Sequence, residues 1–215
     1  INKRAGILLV TGPTGSGKTT TVYSLLNDLK GINKNIMTIE NPVEYKMDGI
    51  SQIQVNSKVG LSFDVGLRAI LRQDPDIIMV GEIRDTETAE IAIRASLTGH
   101  LVLSTLHANT AVGAISRLLD MDVESFLITS SVLGVISQRL TRKICEHCKV
   151  SYEADIGEKK ALGIDVNESV TIYRGKGCER CNNTGYKGRL GIFEMLEITP
   201  EIKELIDSSA NQREI

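Results

Sequence analysis

Apolar residues fall into short strand-like runs that alternate with helical patterns through residues 1–142. Ile7-Leu8-Leu9-Val10 reads as a buried strand, followed by a Gly-rich turn and a helix from about Lys18 to Leu29. A second strand spans 36–39 and ends at Glu40-Asn41-Pro42, where proline stops the continuation. Alternation through Ile50, Gln52, Ile53, Gln54 and Val55 suggests a short, half-exposed strand. Ser62 reads as the N-cap of a helix to Arg72, with Leu67, Ile70 and Leu71 as its apolar stripe. Residues 77–80 form another buried strand, Asp85 or Thr86 caps a helix ending at Thr98-Gly99, and 101–103 make a fourth core strand. Two helical stretches are predicted between Ala111 and Gln138. Strands alternating with helices imply an α/β fold, its mostly parallel sheet covered on both faces.

The rhythm fades after about Arg142, where glycine becomes frequent and all four cysteines appear. A core over 1–142, a cysteine module over 143–189 and a C-terminal segment over 190–215 are therefore expected. That last segment reads as a strand followed by a helix starting near Pro200. Hydrophobic residues at 41% and charged residues at 24% are ordinary for a folded domain and exclude a disordered chain. No apolar run approaches the roughly 18 residues of a membrane span, and no secretory signal is visible. The 25 basic and 27 acidic side chains nearly cancel, which argues against nucleic acid as the main partner. The chain opens at Ile1 without methionine and stops at Ile215 in what reads as an unfinished helix, so a fragment of a longer protein is expected.

Gly12-Pro13-Thr14-Gly15-Ser16-Gly17-Lys18-Thr19 matches the full G-x-x-x-x-G-K-[ST] pattern between a strand and a helix, with Thr20 following. Glycines there let successive backbone N–H groups face a phosphate at a helix N-terminus. Lys18 would bridge the β- and γ-phosphates, and the Thr19 hydroxyl would ligate Mg²⁺. Glu82, at the end of the 77–80 strand, supplies the acid needed to hold Mg²⁺ or polarise water, whereas Asp76 lies at the wrong end. Glu44 also follows a core strand, and spacing leaves it equally a turn acid or a general base. Arg68 and Arg72 share a helix face, which fits a solvated edge better than groups that reach another subunit's phosphate. His100 and His107 flank the fourth strand, and only His107 lies at the end where parallel sheets bind ligands. His107 could sense a γ-phosphate, or be structural.

Cys145-x-x-Cys148 and Cys178-x-x-Cys181 use every cysteine. Two such hooks fit one tetrahedral, closed structural Zn²⁺. Disulfides compete with that reading but disagree with the reducing compartment of a nucleotide-consuming enzyme. His147 lies inside the first hook, though four cysteines already fill the coordination sphere.

With these segments assembled, the chain resembles the secretion-type traffic ATPases, the type II secretion and type IV pilus assembly ATPases. The resemblance covers nearly all 215 residues. It rests on the loop at 12–20, Thr38-Ile39-Glu40-Asn41-Pro42-Val43-Glu44-Tyr45, the 67–76 segment, Val80-Gly81-Glu82-Ile83-Arg84-Asp85, and Gly99 to His107. It implies a RecA-like core that hydrolyses ATP with Mg²⁺. In that core Glu44 would activate water, Glu82 would serve Mg²⁺, Arg68 and Arg72 would reach a neighbour's nucleotide, and His107 would lie near the γ-phosphate. Asn41 departs from the family's usual aspartate, so no carboxylate acts there. The tetracysteine element, with Gly177 and the 185–194 stretch, resembles assembly and secretion members rather than retraction members.

The resemblance further implies a homo-hexamer on the cytoplasmic side of the inner membrane. The ring would carry an additional N-terminal domain and contact platform and adaptor proteins of a secretion or pilus machine. A DNA translocase or helicase is the rival enzyme reading, weakened by five Tyr, three Phe and no Trp. A nucleotide-gated scaffold without turnover is the non-enzymatic rival, and intact Glu44 and Glu82 argue against it.

Overall fold

The computed structural model describes residues 3–31 and 33–208. Strand β1 (Gly6–Thr11) leads through the glycine turn into α1 (Lys18–Leu29). Then come β2 (Ile36–Glu40), β3 (Ser51–Gln54), α2 (Phe63–Ile70), β4 (Ile77–Ile83), α3 (Thr86–Leu97) and β5 (Leu101–Leu106). Next are α4 (Ala111–Leu119), α5 (Ser125–Ser131), β6 (Val132–Ile144), β7 (Lys149–Glu153) and α6 (Ile156–Ala161). The described chain ends with β8 (Thr171–Gly175), β9 (Tyr186–Glu197) and α7 (Pro200–Asp207).

One sheet runs β3-β2-β4-β5-β1-β6-β9, and every pairing from β3 through β6 is parallel. This is the expected mostly parallel α/β architecture. Successive strand residues face opposite sides, as the two-residue period requires. Ile7, Leu9, Ile78, Val80 and Val102 pack on one face with Leu67, Ile93, Ile115 and Ile128 from four helices. Val10, Ile77, Met79, Leu101 and Leu103 pack on the other with Val22, Tyr23 and Leu26 of α1.

The second helical stretch predicted up to Gln138 is corrected. Helix α5 stops at Ser131, and residues from Val132 onward form β6, pairing parallel with β1. A run such as Val132-Leu133-Gly134-Val135-Ile136 has no period that separates buried strand from buried helix. The unpaired side of β1 decides for strand, since its backbone donors and acceptors need partners in a dry core.

The chain forms two compact units, Ile1–Arg139 with Phe193–Ile215, and Leu140–Ile192. In the first, Ile198 and Ile206 join the apolar core, so α7 seals one of its edges. In the second, β7 and β8 pair antiparallel, and α6 between them begins with an Asp155–Glu158 capping box. The unfinished helix expected at Ile215 concerns residues 209–215, which lie outside the described residues. Among the described residues no helix is long and apolar enough to cross a membrane.

Candidate functional site

In an open parallel sheet, ligands gather at the carboxyl ends of the strands. Here the ends of β1, β2, β4 and β5 deliver the 12–19 loop, Glu40 with Glu44, Glu82 and His107. The loop adopts positive φ at Gly12, Gly15 and Gly17 (138°, 78° and 87°). Gly17 caps α1 with no side-chain hydrogen bond, which leaves the helix's first N–H groups available to an anion. A Cβ on Gly12 would lie 2.2 Å from the Gln138 carbonyl and 2.8 Å from Ser16 Oγ, so the turn closes only on glycine. Ser16 Oγ is buried without a protein partner. Pro13, Thr14 and Gly15 are exposed at the rim, while Thr19 is half-buried and Thr20 exposed in the first turn of α1.

Lys18 donates from Nζ to the carbonyls of Gly12 (2.9 Å) and Pro13 (3.2 Å), folding its ammonium over the loop. Burial lowers its pKa below the ordinary lysine value, and the Glu82 carboxylate works in the opposite direction. Lys18 and Glu82 therefore share one electrostatic environment. An uncapped helix start, an orphaned serine hydroxyl and a partly desolvated lysine together form a cradle of the kind that holds phosphate.

Glu82 is aimed by its backbone. The β4–β5 register shifts between Val80 and Ile83, and such an irregularity re-aims side chains beside a site. The hydroxyls of Ser104 and Thr105 donate to the carbonyls of Val80 (2.9 Å) and Gly81 (2.6 Å), stitching β5 to that irregular stretch. Gly81 lets the strand ends approach closely, since a Cβ there would lie 3.2 Å from Glu40 Cα. Glu82 Oε2 receives Arg84 Nε at 2.6 Å, and His107 Nε2 lies 3.4 Å away. Thr11 fixes the histidine's segment, its hydroxyl lying 2.8 Å from the Leu106 and Ala108 carbonyls and accepting the Ala108 N–H at 2.9 Å.

His100 is at the opposite strand end, its Nδ1 2.9 Å from the Ala95 carbonyl, and Asp76 there accepts the Asn35 N–H at 2.7 Å. Arg68 Nη2 contacts Glu87 Oε1 at 2.8 Å, linking α2 to α3 on the surface. Arg72 donates to the Arg68 carbonyl at 2.8 Å. Glu44 is exposed. The larger surprise is Glu40, only 2% exposed. It accepts from the Tyr23 hydroxyl, from Thr38 Oγ1 at 2.5 Å and from Gln52 Nε2 at 3.2 Å. Local spacing gives no sign of the roles of Tyr23 and Thr11, and Arg84 stands in it only as part of the 80–85 segment. An acid closing an otherwise apolar strand was the one signal for the Glu40 network.

In the second unit the four cysteine sulfurs lie within 4.8 Å of one another. Cys145 and Cys178 are 3.9 Å apart, Cys148 and Cys181 3.9 Å, and Cys178 and Cys181 3.7 Å. Metal–thiolate bonds of about 2.3 Å in a tetrahedron place sulfurs roughly 3.8 Å apart, so the set fits one ion. Burial, first, and the neighbouring thiols push Cys148 up to about 12. Burial also opposes the Cys181 thiolate, but the N–H groups of Cys178 and Gly185 help bring it down to about 6. Gly175 and Gly185 bring the hooks together, since a Cβ on Gly175 would lie 2.0 Å from the Gly185 carbonyl. Cys145 N–H donates to that same carbonyl at 2.9 Å.

The chain matches the type II/IV secretion system protein family over residues 1–215. It is 55% identical over 215 residues to type II secretion system protein E of Pseudomonas aeruginosa, covering 100% of this chain and 43% of that protein. It is 56% identical over 213 residues to type II secretion system ATPase E of Vibrio cholerae, covering 99% and 42%. The chain thus spans less than half the length of these relatives. Among solved structures, the pilus retraction motor PilT with bound ADP aligns at a TM-score of 0.71 and 33% identity, over 96% of this chain and 51% of that one. The Legionella pneumophila ATPase DotB, 24% identical, shares the fold at a TM-score of 0.67 over 98% and 50%.

Proposed function

We propose, from the premise that the chain belongs to the type II/IV secretion system protein family, that it is the ATP-hydrolysing part of a motor assembling a type II secretion pseudopilus or type IV pilus. The observation that carries this reading is the meeting of the phosphate loop, Glu82 and His107 at one end of the sheet. The names of the relatives support the secretion context, as does the tetracysteine cluster that the resemblance links to assembly and secretion members.

The loop N–H groups bind and orient the phosphates, and Lys18 leaves its own loop's carbonyls to meet phosphate oxygens. Bound Mg²⁺ supplies charge neutralisation at those oxygens. Thr19 and Glu82 would hold it, Arg84 and His107 steadying the Glu82 carboxylate. Glu44 accepts a proton from the attacking water. His107 faces the γ-phosphate end. Arg68, exposed on α2, and Arg72, exposed just beyond its C-terminal end, are offered to the nucleotide of a neighbouring subunit in a hexameric ring. The four cysteines bind structural Zn²⁺. The motor works from the cytoplasmic side of the inner membrane, pushing on platform and adaptor proteins through a further domain of the full-length protein.

The test is Mg-ATPase specific activity against concentration of the full-length protein, with Lys18→Ala as blank. Specific activity should climb with concentration, and the blank should be inactive. A Lys18→Ala variant at full activity would sink the nucleotide assignment. Flat activity from a monomer would end the trans-arginine role.

A further inference from the structure

Tyr23 belongs to α1, the helix that begins at Lys18, yet its hydroxyl bonds to Glu40 and the Glu44 backbone of the 40–47 segment. The side chain is 1% exposed and among the largest fully buried in the chain. A phenol has one proton and two lone pairs. The proton goes to Glu40, and the lone pairs face the Glu44 N–H and Gln52 Nε2, each at 3.4 Å. Its ring meets Tyr45 edge-on, with centroids 4.8 Å apart. Side chains from β3 hold the rest of the segment. Gln52 accepts the Met47 N–H at 2.8 Å and donates to the Tyr45 carbonyl at 3.2 Å, while Gln54 accepts the Val43 N–H at 3.1 Å. The loop carrying Glu44 is thus pinned at four backbone positions, and the bond that reaches the phosphate-loop helix runs through one hydroxyl.

We infer that Tyr23 is a positioning residue, which fixes Glu44 relative to the phosphate loop by joining the buried Glu40 and the Glu44 backbone to α1. This rests on the reading of Glu44 as the water-activating carboxylate. Buried Tyr23 also fills core volume, but that role belongs to the ring, and Phe would preserve it. Removing only the hydroxyl leaves Glu40 short of a donor in a dry site and frees the Glu44 N–H. The cost should fall on the chemical step, where small misplacement of a reacting group is expensive, and not on nucleotide binding.

The experiment is single-turnover ATP hydrolysis by full-length protein, with nucleotide Kd measured separately by fluorescence. Tyr23→Phe should slow hydrolysis about tenfold or more, with Kd within about twofold of wild type. In a Glu44→Gln background it should cause no further loss, because the group it positions is already gone. Gln52→Ala, which keeps the phenol and unpins the loop, should slow hydrolysis in the same sense, and it serves if Tyr23→Phe fails to fold. Wild-type hydrolysis in the variant, a change confined to Kd, or an undiminished loss on top of Glu44→Gln would each overturn the proposal. Full activity in Glu44→Gln itself would overturn the Glu44 reading and the proposal together. An inactive Glu44→Gln beside a fully active Tyr23→Phe overturns the positioning role alone.

Discussion

Gly12 and Gly15 share a motif and a positive φ, yet they answer to different constraints. Any Cβ at Gly12 collides with the Gln138 carbonyl, whereas nothing lies within 4 Å of one at Gly15. Gly15→Ala therefore meets only the left-handed penalty of about 1–2 kcal/mol. Gly12→Ala must in addition move β6 backbone, so it should lower stability further and weaken nucleotide binding more than Gly15→Ala does. Denaturant melts and nucleotide titrations of both variants check the order, and equal losses would contradict it. The motif made both glycines legible, but only the tertiary neighbour separates them. Glu40 teaches the converse. Its neighbours Asn41, Pro42 and Glu44 read as a surface turn, and Glu40 itself is buried because Tyr23 from α1 and Gln52 from β3 join Thr38 of its own strand around it.

Two helices with similar start signals differ in the same way. Asp85 caps α3 by accepting the Thr88 N–H at 2.8 Å, as its position before the apolar pattern suggested. Ser62 occupies the cap position of α2 but makes no bond to a helix N–H, donating its hydroxyl to Asp64 instead. That donation holds the Asp64 carboxyl below its ordinary range. Asp85→Ala should therefore cost roughly 1 kcal/mol, and Ser62→Ala distinctly less. Chemical denaturation of the two variants decides it, and a reversed order would refute the assignment. A cap is legible as a residue type, but which partner it meets depends on the first turn's own acid. The β6 correction has a related origin: pattern fixes that a segment is buried, and the neighbour's unpaired backbone fixes how.

At the scale of the molecule, the two units are held by different means. The first has a core on both sheet faces. In 140–192 the only buried side chains are Cys145, Ala154, Lys159 and Cys181. So small an apolar interior does not hold a domain, and metal bound to the thiolates would supply the missing stability. Removing the ion with a strong chelator, or Cys148→Ser, should raise protease sensitivity and hydrogen exchange across 140–192 while leaving exchange in β1, β4 and β5 unchanged. Equal loss in both regions, or none, would refute this division. Sequence alone determined the strand–helix alternation, the G-x-x-x-x-G-K-[ST] loop, the two cysteine hooks and the strand-end acid Glu82, because each follows from local spacing. Tertiary structure alone decided that residues from Val132 form a strand, that Glu40 is buried, that His107 lies beside Glu82, and that Gly175 and Gly185 bring the hooks together. Those features depend on which surfaces meet across long stretches of chain, and local spacing carries no record of a partner that distant.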